Sequence, residues 1–374
     1  MTDLCIEFGI SRKTGYKIWT RFKAQGFTGI MDQSRRPHHL ARSTRADIQE
    51  IIVATKRAHL NWGATKIRDY LLRNHPGMKL PVRATMHAVL DKHGLVKARR
   101  LRHKREYPGA SGLTEGLSPN LVWSTDYKGQ FKMRNGKYCY PLTIADHCTR
   151  FLIGCEALEN TRTVPAQGVF TEIFEQYGLP EVIRSDNGTP FASAGLLGLS
   201  RLAVWWMKLG ISVEHTEPGH PQQNGRHERM HLTLKQDVKI AENLLQQQER
   251  FDEFQQEYNH ERSHEALKLK RPGEVYVPSP RKLPRFLEPV EYPEHDLTLK
   301  ADSTGRISFP KLNERIFISH VLAGENLGLQ PEGEDIWCVM FKNLNLGFLD
   351  LQTKTFSAAE SGSNKPKVSP MSLD

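Results

Sequence analysis

Apolar positions along this chain change their period as the sequence runs on. From residue 1 to about 95 they recur every three or four residues, the spacing of helices that bury one stripe. Leu4, Cys5, Ile6 and Phe8 precede a turn at Gly9-Ile10; on RKTGYKIWTRFKA, capped by Ser11, an inward stripe of Ile18, Trp19 and Phe22 is expected. Ile48, Ile51, Ile52 and Ala58 form another stripe, Ile67, Leu71 and Leu72 the next, and Thr85, Met86, Val89 and Leu90 a third helix ended by Gly94. From Pro119 the period falls to two. NLVWSTDYKGQFKM sets Leu121, Trp123, Thr125 and Tyr127 on one face and Val122, Ser124 and Asp126 on the other. Asn135-Gly136 marks a hairpin into KYCYPLTIADH and then RFLIGCEAL. There follow a helix closed by Gly178, the strand EVIRSD, a Trp-rich helix and the strand ISVEHT. A last helix runs from Gly225 with no Gly or Pro through Phe251. The order βββαβαβα predicts a mixed sheet with helices packed on it.

These periods divide the chain. Residues 1–31 read as a helix-turn-helix, partial because Met1 leaves no room upstream for a third helix, and residues 43–96 as a second one. Residues 97–118 form a basic linker and 119–277 the α/β core. A Pro-rich linker at 278–289 leads to a small all-β domain at 290–353, a barrel or open sheet, and a disordered tail at 354–374. The whole is multidomain: all-α units, a mixed α/β core, then all-β.

Charge adds a partner. The 374 residues carry a net charge of +10, and mean hydropathy is −0.53 with no membrane-spanning run. A basic excess favours a polyanion such as double-stranded DNA. Arg12, Lys13 and Lys17 point outward on the second helix of the first unit, and Arg99, Arg100 and Arg102 belong to a run placed to track phosphates. The absence of a signal segment and five cysteines without a C-x-x-C pair suit a reducing cytoplasm rather than secretion.

The chemistry gathers on acids. Asp126 sits inside a strand, Asp186 ends one just before Asn187-Gly188, and Glu228 opens the last helix. A carboxylate in an apolar strand is costly unless paired, hydrated or bound to metal. Three acids at one sheet edge repel, and Mg²⁺ or Mn²⁺, which favour hard oxygen ligands, relieve that repulsion; two such ions serve an in-line phosphoryl displacement. The same helix spells a rival, because His227-Glu228-Arg229-Met230-His231 fits the H-E-x-x-H pattern of a zinc metalloprotease. A third reading is a DNA-binding protein with an inactive core.

WSTDYKG, RSDNGTPF and HPQQNGRHERMHLTLK resemble the three catalytic blocks of the DDE transposases and retroviral-type integrases. YNHERSHEAL followed by RPGEVY is similar to the segment closing that core in bacterial insertion-sequence transposases, and residues 62–95 are similar to the helix-turn-helix before it. The resemblance covers roughly residues 1–280 and implies a ribonuclease H-like core that cuts and joins DNA. It implies Mg²⁺, with Mn²⁺ as substitute and two ions in use, held by the catalytic residues Asp126, Asp186 and Glu228. Lys235 takes the position that contacts DNA near the site. The resemblance further implies water and then a DNA 3′-hydroxyl as nucleophiles, and a homo-multimer assembled on element ends and target DNA. Three features depart from the pattern. Asp186 and Glu228 lie 42 positions apart, through an insertion at SAGLLGLS; Ser263 stands where Pro is common; and the first helix-turn-helix starts late.

Overall fold

The computed structural model describes residues 1–32, 44–96, 112–217 and 220–359. The chain divides into two compact units, residues 1–51 and 52–374. Arg99, Arg100 and Arg102 lie outside the described residues.

In the first unit, Ser11 Oγ accepts from Thr14 N–H at 3.2 Å and starts helix α2 (Arg12–Gln25) after α1 (Thr2–Glu7). Gly15 is buried where a side chain would collide with Cys5 Sγ, so the two helices meet closely. Trp19 departs from the expected inward stripe: it is 44% exposed and stacks on Phe22 at 5.9 Å. Among the described residues of this unit, which add a short 3₁₀ turn (Gly26–Ile30), that face stays uncovered.

Helix α3 (Ala46–Ala58) spans the boundary, and α4 (Ala64–Asn74) and α5 (Arg83–Lys92) follow it in the second unit. Ile52, Ile67, Leu71, Met86, Val89 and Leu90 are buried, as the periodicity predicts, and Val53 and Trp62 are buried with them; Ala58 and Leu72, expected in the stripes, are exposed. Polar ties join these helices to the sheet domain: His59 Nδ1 lies 3.0 Å from Glu257, Asn61 Nδ2 donates to Asp237 at 2.6 Å, and Arg73 pairs with Glu274.

The central sheet contains β1 (Val122–Tyr127), β2 (Phe131–Lys132), β3 (Tyr138–Asp146), β4 (Leu152–Leu158), β5 (Val182–Ser185) and β6 (Ser212–His215). Its strands run in the order β2-β3-β1-β5-β6, with β4 also on β3; β3 is antiparallel to β1 and β4, while β5 is parallel to β1 and β6. It is a mixed sheet. Trp123, Ile144 and Ile153 pack on one face against α6 (Thr163–Tyr177) and α7 (Arg201–Lys208), through Phe170, Phe174, Leu202 and Trp206. Cys139, Ala145 and Cys155 pack on the other against α8 (Gly225–Asp237) and α9 (Leu244–His260), through Met230, Leu234, Phe251 and Phe254.

The long helix expected from Gly225 to Phe251 is two helices. Val238 leaves the helical conformation, and the carbonyls of Ala241 and Glu242 accept from Arg134 and Asn135 in the β2–β3 hairpin instead of from their own helix. Asn243 then caps α9, accepting from Gln246 N–H at 3.0 Å. Main-chain N–H groups of the hairpin and the Asn243 side chain, competing for this backbone, break a helix without Gly or Pro.

Residues 278–289 run along the core surface, where Arg281 donates to the carbonyls of Pro180, Leu209 and Gly210. Beyond them lies a five-stranded sheet in the order β13-β12-β11-β10-β7 and a separate β8–β9 pair. The strands are β7 (Leu297–Lys300), β8 (Arg306–Ser308), β9 (Arg315–Phe317), β10 (Asn326–Pro331), β11 (Ile336–Phe341), β12 (Leu344–Asp350) and β13 (Thr355–Ala358). β13 carries regular pairing into the stretch expected to be disordered. Leu199, Ala203 and Val204, at and after the insertion, share one core with Ile307, Leu327 and Leu346 of this sheet, and Leu196 and Leu197 pack against it. The extra residues between Asp186 and Glu228 therefore seat the β domain.

Candidate active site

Strand alternation turns Trp123 and Tyr127 toward α6 and α7, and Ser124 and Asp126 toward α8. Asp186 follows β5, where the Gly188 N–H donates to its Oδ1 at 3.1 Å and Asn187 Nδ2 donates to the Thr216 carbonyl at 2.7 Å. A Cβ on Gly188 would sit 3.1 Å from Asp186 Oδ2, so the small residue keeps this turn tight. Glu228 lies in the first turn of α8 and is exposed.

The three acids interact. Burial pushes the Asp126 carboxyl up to about 7, the negative charges of Asp186 and Glu228 push the same way, and the Tyr127 N–H opposes them. Strand β1, the end of β5 and the start of α8 thus deliver one acid each to a common region. Among the described residues no three His, Cys, Asp or Glu side chains lie close enough to enclose an ion unaided. The donor set nonetheless suits Mg²⁺ or Mn²⁺. It is all carboxylate oxygen, the charges of Asp186 and Glu228 raise the proton affinity of Asp126, and such ions are commonly held by one or two carboxylates with water and phosphate completing the shell. A cleft of about 1230 Å³ lined by Lys208, His215, Tyr292 and Lys342 includes none of the three acids.

The two histidines of the H-E-x-x-H pattern face a hydroxyl. Thr143, opposite Asp126 on β3, is fully buried; its Oγ1 donates to the Asp126 carbonyl at 2.9 Å and lies 2.7 Å from both His227 Nε2 and His231 Nε2. His227 Nδ1 lies 2.9 Å from Ser124 Oγ, so both of its nitrogens have hydroxyl partners. Burial lowers the His227 pKa to about 3 and that of His231 to about 2, which keeps both rings neutral. A zinc centre needs free imidazole lone pairs, and His227 has none to give. Thr143 was not legible in the sequence, because its role depends on a strand register that one sequence does not reveal.

The other candidates are dispersed. Lys235 is exposed on α8, two turns beyond Glu228. Arg12, Lys13 and Lys17 are exposed on α2 in the other unit. Asp146 has the structural role its position suggests: it is buried and accepts from the backbone N–H groups of Asn120 and Thr149 and from the Thr149 hydroxyl. Sequence reading also missed the buried Arg184, two residues before Asp186, which donates to Glu214 at 2.9 Å and to the Thr114 carbonyl.

Family models match in three places. Two models of the integrase core domain match residues 116–221 and 209–272, and a model of the leucine-zipper of insertion element IS481 matches residues 1–58. The Gag-Pol polyprotein of baboon endogenous virus (strain M7) is 32% identical over 123 residues, 33% of this chain and 7% of the polyprotein. The Pro-Pol polyprotein of simian foamy virus type 3 (strain LK3) is 35% identical over 112 residues, 29% of this chain and 9% of its own length. The chain thus spans under a tenth of either relative. The integrase catalytic core domain of HTLV-2, solved in complex with magnesium, superposes with a TM-score of 0.34 at 16% identity, over 43% of this chain and 99% of that one. Over residues 116–272 the chain is thus similar to integrase core domains, and over residues 1–58 to the leucine-zipper of an insertion element.

Proposed function

We propose that this chain is a bacterial, cytoplasmic DNA transposase with a ribonuclease H-like core, in which Asp126, Asp186 and Glu228 hold two Mg²⁺ ions, replaceable by Mn²⁺. The observation that carries the reading is the half-buried carboxyl of Asp126 on β1, whose proton affinity is raised by partial burial and by the charges of Asp186 and Glu228 from two other elements. An apolar strand tolerates such a group at a cost, and functional sites are where such costs concentrate.

Bound ions of this kind activate an attacking oxygen and stabilise the leaving one. Asp126 and Asp186, on the rigid sheet, fix the reacting phosphate, while Glu228 completes the acid set from a helix whose buried histidines hold it to β1 and β3. Lys235 takes up a DNA phosphate beyond the site. The helices of residues 1–31 and 43–96, with Arg12, Lys13 and Lys17 outward and the run containing Arg99, Arg100 and Arg102, bind double-stranded DNA at element ends. The working form is a homo-multimer on that DNA.

The test is cleavage of duplex DNA by the full chain with Mn²⁺, compared with Glu228→Gln. Glu228 is exposed, so its loss leaves stability within about 0.5 kcal/mol while abolishing cleavage. Equal cleavage by both proteins would overturn the assignment of Glu228.

A further inference from the structure

We propose that His231 supplies a nitrogen ligand, through Nδ1, to the divalent ion held at Asp126. The inference rests on the metal-dependent reading above and makes the ion's donor set mixed oxygen and nitrogen.

It follows from hydrogen-bond arithmetic at one hydroxyl. Thr143 has a single proton, and the Asp126 carbonyl 2.9 Å away can only accept, so the proton is given there. Two imidazole nitrogens stand 2.7 Å from the same oxygen, and both must therefore donate to it. That fixes His227 and His231 as their Nε2–H tautomers. His227 is then complete, because its Nδ1 meets at 2.9 Å the Ser124 hydroxyl, which also faces the Ala145 carbonyl at 3.3 Å. His231 is not. Its Nδ1 keeps a lone pair and stands 3.7 Å from Asp126 Oδ2.

A lone pair facing a carboxylate oxygen is unfavourable unless something positive lies between them. At 3.7 Å the gap exceeds a hydrogen bond, so one shared proton does not close it. A metal ion about 2 Å from each donor does. The two histidines one turn apart then divide the work: His227 props the helix through Ser124 and Thr143, and His231 is held by Thr143 with its free nitrogen toward Asp126. The H-E-x-x-H pattern belongs to a single carboxylate-centred site and not to a zinc centre of its own. Imidazole is a better ligand for Mn²⁺ than for the harder Mg²⁺, so the mixed set favours Mn²⁺.

The experiment is pulsed EPR on the full chain with substoichiometric Mn²⁺ at neutral pH. Nitrogen modulation from one imidazole is expected, changing in kind when histidine is ¹⁵N-labelled and vanishing in His231→Gln, whose Mn²⁺ affinity falls at least about tenfold. Mn²⁺ that binds in wild type and is lost in Asp126→Asn, yet shows no nitrogen modulation, overturns the proposal while leaving the metal-dependent reading intact. Modulation that survives His231→Gln overturns it too. Failure of any Mn²⁺ to bind even with duplex DNA present to supply phosphate oxygens removes both readings together. Should His231→Gln not fold, long-range ¹H–¹⁵N spectra of the wild type decide: His231 must be the Nε2–H tautomer, and a proton on Nδ1 refutes the assignment.

Discussion

Thr143 on β3 lies directly opposite Asp126 on β1, and its buried hydroxyl donates to the Asp126 carbonyl across 2.9 Å. Through that one oxygen the strand bearing the first acid is joined to both histidines of the helix bearing the third.

Thr143→Val preserves shape and removes the hydroxyl. It leaves a carbonyl and two imidazole N–H groups without their partner, at about 1–3 kcal/mol for each group stranded in the interior. We expect denaturant unfolding to show a loss of about 3 kcal/mol or more, with most of it restored in Thr143→Ser. A Thr143→Val protein as stable as wild type would mean that these bonds contribute nothing.

Much of this arrangement was legible from residue order, and the unread part has physical causes. Alternation in NLVWSTDYKGQFKM put Asp126 and Trp123 on opposite faces, as the two layers of core do. Asp186 and Glu228 stood out because turn residues adjoin them. What escaped depended on neighbours far apart in sequence. The break between α8 and α9 needs the β2–β3 hairpin to draw off the carbonyls of Ala241 and Glu242, and Trp19 is exposed because the described residues of its unit do not cover it. The insertion SAGLLGLS showed in the sequence as surplus length alone. Its leucines serve a β-sheet core built mainly from residues beyond Val290.

Asp126 makes stability depend on pH. Its carboxyl moves from an ordinary 3.8 to about 7 in the folded protein, so the native state keeps a proton that the unfolded chain has already released. The group therefore costs nothing below about pH 4, and its burden grows as pH rises and is complete above about 7, at a few kcal/mol. Asp126→Asn removes the burden. Its melting temperature should match wild type at pH 4 and exceed it at pH 8, where saturating Mn²⁺ raises wild type and leaves the variant unmoved. A wild-type advantage at pH 8 without metal would contradict the strain assigned to this acid.

Lys235 tests the path of DNA beyond the acids. It is exposed in the last turn of α8, with no ion pair recorded for it among the described residues, so Lys235→Ala should alter stability by no more than about 0.5 kcal/mol. If it neutralises one phosphate, affinity falls about equally for all sequences, and the slope of log affinity against log salt becomes shallower by about one. Fluorescence anisotropy on a duplex between 50 and 200 mM salt, a range chosen because such slopes are steep there, measures both quantities. An unchanged slope with weakened binding would mean that Lys235 acts through the fold. A drop confined to one sequence would make it a reader of bases, which a flexible ammonium on the outer face of this helix is poorly placed to be.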